Sequence, residues 1–186
     1  MSRRLLLTLL LLLPAAARAD GNFALIEQAG EANRAEVTQA GDMSHAAIGQ
    51  DGTGNATALV QAGQRQTALV GQSGSGNRAA LTQVVGGAGV LRLDQTGAEH
   101  VAAIASAGDS NVIGLTQQGR GQRAGIAVRG DGNQLGVAQR GDGNTADLGL
   151  RGNDNAWQVE QDGTGLGIRV RHAGDGMPLA IRQTGG

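Results

Sequence analysis

The chain has 186 residues, of which 33 are glycine and none cysteine, and its only aromatic residues are Phe23 and Trp157. An ordinary globular core needs large apolar side chains or, in a small exported protein, disulfides, and both are nearly absent. A formal net charge of −1 leaves no basic surface for nucleic acid.

The first 19 residues read as an export leader. Arg3 and Arg4 give a positive start, Leu5 to Leu13 an apolar run too short to span a bilayer as a mature helix, and Ala17-Arg18-Ala19 a small-x-small cleavage signal. The mature chain then starts at Asp20. Loss of Arg3, Arg4 and Arg18 lowers the net charge to about −4. The arginine pair is compatible with twin-arginine export, but so short and apolar a leader favours the general secretory route.

From Gln28 onward glutamine recurs every eleven residues, at Gln28, Gln39, Gln50, Gln61, Gln72 and Gln83, and the register resumes at Gln95, Gln117, Gln139, Gln161 and Gln183. Two residues after nearly every position of this register, including those where glutamine is replaced, stands a turn glycine: Gly30, Gly41, Gly52, Gly63, Gly74, Gly97, Gly108, Gly119, Gly130, Gly141, Gly152 and Gly163. Gly-, Gln- and Asn-rich composition alone points to disorder, because such chains offset their ordering entropy poorly. The fixed period overrides it and marks stacked repeats, each burying its apolar face only against its neighbours.

Within a unit such as Asn33 to Gln39, alternate positions divide as a strand requires. Asn33, Ala35, Val37 and Gln39 share the inward face, and the position two before each glutamine is aliphatic throughout, from Ile26 and Val37 to Val170 and Ile181. The outward face carries small or charged residues such as Ala47, Gly49, Gly125 and Arg169. Four-residue turns such as Ala40-Gly41-Asp42-Met43 are expected between strands.

A longer period sets the rung. In the C-terminal half the glutamine position alternates, as Gln95, Ser106, Gln117, Val128, Gln139, Leu150, Gln161, His172 and Gln183. The position four earlier alternates in step, as Leu91, Ala102, Ile113, Ala124, Leu135, Ala146 and Trp157. Large answered by small fits two opposed sheets, so one rung is two strands in 22 residues. The expected fold is all-β: a parallel, amyloid-like two-sheet β-solenoid of seven to eight strand-turn-strand rungs, about 36 Å tall at ~4.8 Å per rung. The register slips once, where Val84-Val85-Gly86-Gly87-Ala88 lengthens a turn by one residue. This is a turn insertion at 84–88, tolerated cheaply on a solenoid, between repeat blocks at 20–83 and 89–186.

Parallel stacking sets each residue over its equivalent. Gln28, Gln50, Gln72, Gln95, Gln117, Gln139, Gln161 and Gln183 are expected to form one ladder of amides, and Gln39, Gln61 and Gln83 a second. Asn33, Asn55, Asn77, Asn111, Asn133, Asn144 and Asn155 are expected to stack likewise at strand starts. Other chemistry is weak. The turns at Gly130-Asp131-Gly132-Asn133 and Gly141-Asp142-Gly143-Asn144 lack the period of calcium-binding β-rolls. His45, His100 and His172 fall in separate units and read as surface histidines. No nucleophile, phosphate loop or metal set is present, so neither enzyme nor cofactor is expected. Arg169, Arg171 and Arg182, near His172, form a candidate anchoring group for an acidic surface or assembly factor.

The pattern Gln-x-Gly-x-x-Asn-x-Ala-x-x-x-Gln, at Gln28 to Gln39 and again at Gln72 to Gln83, resembles the curlin repeat of bacterial curli fibres over essentially the whole mature chain. Three features are more similar to the minor curlin, the nucleator, than to the major subunit: no long Gly-rich segment before the first repeat, the early Asn22-Phe23-Ala24, and the basic ending Ala180-Ile181-Arg182-Gln183. The leading Ser of the family repeat is mostly missing, and Gln is lost at Ser106, Val128, Leu150 and His172. The resemblance implies an extracellular functional amyloid at the bacterial cell surface, for adhesion and biofilm matrix. Its partners would be further copies stacked end to end, other curlin subunits, a dedicated secretion pore and assembly factors, with no nucleic acid. The alternative is a monomeric secreted β-solenoid that binds a surface or glycan through its outer face.

Overall fold

The computed structural model describes residues 6–8 and 21–185; the cleavage signal and Asp20 lie outside the described residues. Sixteen strands follow in chain order: β1 (Leu6–Thr8), β2 (Phe23–Glu31), β3 (Arg34–Asp42), β4 (His45–Thr53), β5 (Ala56–Gln64), β6 (Thr67–Ser75), β7 (Arg78–Gly87), β8 (Val90–Ala98), β9 (Val101–Ala107), β10 (Val112–Arg120), β11 (Arg123–Arg129), β12 (Gln134–Asp142), β13 (Thr145–Arg151), β14 (Ala156–Thr164), β15 (Gly167–Ala173) and β16 (Pro178–Gly185). From β2 onward even-numbered strands form one sheet and odd-numbered strands the other, so the chain alternates sheets at every corner. All pairs are parallel except β1, which runs antiparallel along β2. The molecule is a two-sheet β-solenoid with 22 residues per rung, as in the pairing of Gln28 with Gln50 and of Gln117 with Gln139.

The inserted residue is absorbed in one corner. Ala62 pairs with Val84, but Gln64 pairs with Gly87, a local register shift between β5 and β7. One strand later Val84 pairs with Ala107 and the regular ladder has resumed. In the even sheet the same insertion makes the step from Gln72 to Gln95 23 residues, without breaking their pairing.

Inward aliphatic residues from Ile26 to Val159 make one continuous core, with Ile48, Leu59, Leu81 and Leu115 each only 1% exposed. Its cross-sheet pairing differs from the expected large-against-alanine match along one rung. Gln50 Nε2 lies 3.3 Å from Thr57 Oγ1, and the rings of Trp157 and His172 are 6.1 Å apart. The position four before a glutamine therefore faces the glutamine position of the opposite strand. Register equivalence then sets Ala24, Ala46 and Ala68 of the even sheet against Gln39, Gln61 and Gln83. Where those positions become Leu91, Ile113, Leu135 and Trp157, the facing positions are Ser106, Val128, Leu150 and His172. Alanine makes room for an amide, whereas a large side chain displaces it, as close packing at fixed sheet separation requires.

The corners are also tighter than expected. Strands run through the turn glycine, leaving two-residue connectors such as Ala32-Asn33 and Gly54-Asn55. Among the described residues, four-residue connectors occur only after β9, β11, β13 and β15, the first being Gly108 to Asn111. Each corner has two positive-φ positions. All twelve turn glycines named above occupy the first; Gly119, for example, has φ +117°. A Cβ on Gly119 would run into the carbonyl oxygen of Gly141 on the next rung. The second position is ordinary left-handed backbone, with open space at Gly54, Gly121, Gly143 and Gly165, though a Cβ on Gly132 would meet the Asp154 carboxylate. Glycine stands there in Gly121 at φ +66°, and Ala32, Met43 and Glu99 occupy equivalent sites. Stacking, more than φ alone, reserves the first position for glycine. Gly119→Ala should therefore cost about 3 kcal/mol from clash plus strain, and Gly121→Ala about 1 kcal/mol. Denaturant midpoints of the two variants check this, and equal losses would contradict it.

Candidate functional site

The inward amides form a one-way chain along the even sheet. Gln28 Nε2 donates to Gln50 Oε1 at 2.6 Å, Gln50 to Gln72 at 2.6 Å, Gln72 to Gln95 at 2.7 Å and Gln95 to Gln117 at 2.8 Å. It continues through Gln139 and Gln161 to Gln183, each step 2.8 Å. From Gln50 onward each amide also crosses the core to a backbone carbonyl at the start of an opposite strand, as Gln50 Nε2 does to Arg34 O at 3.1 Å and Gln161 Nε2 to Thr145 O at 3.1 Å. A shorter chain runs along the odd sheet from Gln39 to Gln61 to Gln83, at 2.9 Å per step. It stops where Ser106 replaces the next glutamine. Gln61, Gln117, Gln139 and Gln161 are fully buried. An orphaned amide there would cost about 1–3 kcal/mol, whereas a paired one contributes about 1 kcal/mol per bond.

The asparagines fall into two columns with a different geometry. Asn33, Asn55, Asn77 and Asn144 precede odd-sheet strands, and Asn111, Asn133 and Asn155 precede even-sheet strands. Their side chains cap corners more than they stack on one another. Asn33 Nδ2 donates to Ala29 O at 2.8 Å and Gly52 O at 3.0 Å, while its Oδ1 accepts the backbone N–H of Asn55 at 3.0 Å. Direct amide-to-amide bonds occur only at Asn133 to Asn111, 3.0 Å, and Asn155 to Asn133, 2.9 Å, among the described residues. Gln66 and Gln122 also stand in these columns; Gln122 Nε2 makes the same caps, to Gln118 O at 2.8 Å and Gly141 O at 2.9 Å, but the Oε1 of each is left without a partner.

His100 corrects the surface reading. It occupies the asparagine column between Asn77 and Gln122 and is fully buried. Its Nδ1 accepts the backbone N–H of Gln122 at 3.3 Å, leaving Nε2–H to donate to Thr96 O at 3.1 Å. That arrangement needs the neutral ring. Burial pushes its pKa below 6.5, only partly opposed by the Thr96 and Gly119 backbone and the Asp142 charge. The unfolded chain thus takes up a proton that the folded one resists, so this contribution is complete above about 6.5 and is lost as pH falls below it. Denaturation midpoints should drop between pH 7 and pH 5, and His100→Asn, which restores the column's usual cap, should flatten the drop. An unchanged pH dependence in the variant would refute the assignment.

The candidate anchoring arginines do not form one group. Arg169 and Arg171 lie on the outer face of the odd sheet, both paired with Asp147 at 2.8 and 3.4 Å. Arg182 lies on the outer face of the even sheet, 3.6 Å from Glu160, which Arg140 also holds at 2.9 Å. The aspartate turns act as backbone acceptors: Asp131 Oδ1 takes the N–H of Asp109 at 2.8 Å, and Asp175 Oδ1 that of Asn153 at 2.6 Å. Among the described residues no group of three His, Cys, Asp or Glu side chains is placed to hold a metal ion.

Three segments of the chain, residues 19–52, 52–84 and 130–163, match the model of the curlin associated repeat, together just over half of its length. No curated protein matches the chain.

Proposed function

Because the chain belongs to the curlin-repeat family, we propose that it is a structural subunit or nucleator of a curli-type fibre, formed by rods stacking end to end. The observation that supports this reading most is the in-register glutamine ladder of the even sheet. A strand edge that presents amides and backbone groups every rung is a template for any chain with the same pattern, and a second copy carries it. The ladder also has a direction, since every Nε2 donates toward the C-terminal rungs, so successive rods would share one polarity. In the last strands the apolar residues Ile168, Val170, Leu179 and Ile181 are only half-buried, unlike their equivalents below. The wider proposal includes export by the leader expected at 1–19, passage through a curli secretion pore, and assembly with other curlin subunits at the bacterial surface for adhesion and biofilm matrix.

Purified protein lacking the leader should polymerise after a lag, bind an amyloid dye, and lose the lag when preformed fibres are added. A chain that stayed monomeric through prolonged incubation and ignored seeds would favour the surface-binding monomer instead.

A further inference from the structure

Charge is spread unevenly over the outer face of the odd sheet. Of the twelve outward positions on β11, β13 and β15, five are arginine, namely Arg123, Arg129, Arg151, Arg169 and Arg171, and one is acidic, Asp147. The other six are glycine, alanine or threonine. All five arginines are exposed, a local surplus of positive charge that the chain's net charge of −1 conceals. Asp147 is already engaged, 2.8 Å from Arg169 and 3.4 Å from Arg171. Arg123, Arg129 and Arg151 form no ion pair among the described residues, unlike Arg34, Arg92, Arg140 and Arg182. The flanking corners carry Asp131, Asp154 and Asp175 on one side and Arg120 and Asp142 on the other, and none of these aspartates pairs with an arginine of the face. Arg129 and Arg151 are direct register partners on adjacent strands, a like-charge pair that costs the fold stability. Between them and Arg171 runs a shallow groove of about 540 Å³, lined also by Ala127, Gly149 and Ala173. A Cβ on Gly149 would lie 3.5 Å from Arg171 Cγ, so the stem of that arginine rests over the glycine.

We propose that this face binds an anionic polysaccharide, a chain of acidic sugars lying along the rod axis with its carboxylates on Arg129, Arg151 and Arg171. The three arginines fall on successive strands of one sheet, so cationic groups recur at the rung spacing of ~4.8 Å, about the length of one sugar unit in an extended chain. A guanidinium takes a carboxylate through two parallel hydrogen bonds, and a bound carboxylate relieves the repulsion between Arg129 and Arg151. The small residues between the arginines leave room for the sugar rings. Other anionic partners fit less well. Single-stranded nucleic acid is held by aromatic stacking as well as charge, and no outward residue of these strands is aromatic. Docking on an anionic bilayer needs apolar side chains beside the basic ones, and the largest uncharged outward side chain here is Thr145. The site lies on the single rod and does not require the fibre. In a fibre it would recur once per subunit, and exposed contacts that are individually weak would add up as avidity.

The chain without its leader, passed while still soluble over immobilised polygalacturonate, should bind and be released as salt is raised, whereas uncharged dextran should not hold it. Replacing both Arg129→Ala and Arg151→Ala should weaken binding about tenfold. The double variant Arg92→Ala with Arg182→Ala removes as much charge from the outer face of the even sheet and should stay within about twofold of the unaltered protein. If the first double variant does not fold, Gly149→Glu sets an acid in the groove with every arginine kept, and should lose binding to a similar extent. Equal weakening in the two double variants, capture by dextran, or tighter binding of single-stranded oligonucleotides or phosphatidylglycerol vesicles than of polygalacturonate would overturn the proposal. A chain that polymerises but ignores the polysaccharide would leave the fibre reading intact. One that binds it through these arginines but never polymerises would leave this site intact and overturn the fibre.

Discussion

Each inward side chain in this solenoid sits one rung spacing, ~4.8 Å, above a copy of its own column. An unbroken column of amides can be buried there when each member donates in one direction and accepts in the other. A charged group would face its like across that distance in a poor dielectric. The carboxamide of glutamine meets the condition, and its reach lets it also satisfy a backbone carbonyl of the opposite sheet, as Gln50 does with Arg34. The eight-membered ladder from Gln28 to Gln183 follows from that constraint, and rung length, strand register and the alanines opposite the amides follow from the ladder.

The same constraint explains how the molecule changes along its length. The first rungs bury two amide columns and face each with small residues. From β9 onward the odd sheet gives up its amide column, and Val128 and Leu150 stand where glutamine would, 1% exposed each. Exchanging a satisfied amide for a packed aliphatic residue loses bonds worth about 1 kcal/mol each and gains about 1.5–3 kcal/mol of apolar burial. Either solution closes the core, provided both columns change together. Leu91, Ile113 and Leu135 accordingly appear in step with Ser106, Val128 and Leu150. The family model passes over 85–129, yet the glutamine pairings from β8 to β10 and β10 to β12 run through that interval unchanged. Geometry persists where residue identity has drifted.

The fold was legible because its period is also its physics: an eleven-residue step and a strand's two-residue alternation leave one arrangement for Gln, Val and Ala. What stayed hidden depends on relations that no column displays. The offset between the sheets, which sets Trp157 against His172 and not against an alanine, arises from how the corners close. The strands' passage through the glycine corners reflects hydrogen bonds between rungs, which turn-forming residues alone do not reveal. His100 looked incidental because its column is recognisable as a column only through its asparagines, and a histidine can substitute as acceptor and donor at once. The split of Arg169 and Arg171 from Arg182 was implicit in strand parity, since neighbouring strands belong to opposite sheets.

The central claim is that the glutamines stack within one molecule, rung upon rung. Solid-state NMR on fibres with ¹³C,¹⁵N-labelled glutamine, the labelled chains diluted in excess unlabelled protein, measures it through Nε2-to-Cδ contacts between successive side chains. Intramolecular rungs predict that these contacts keep their intensity per labelled chain as dilution increases. Contacts that fade in proportion to dilution would mean that glutamines stack between molecules, and would contradict the solenoid as the unit of assembly.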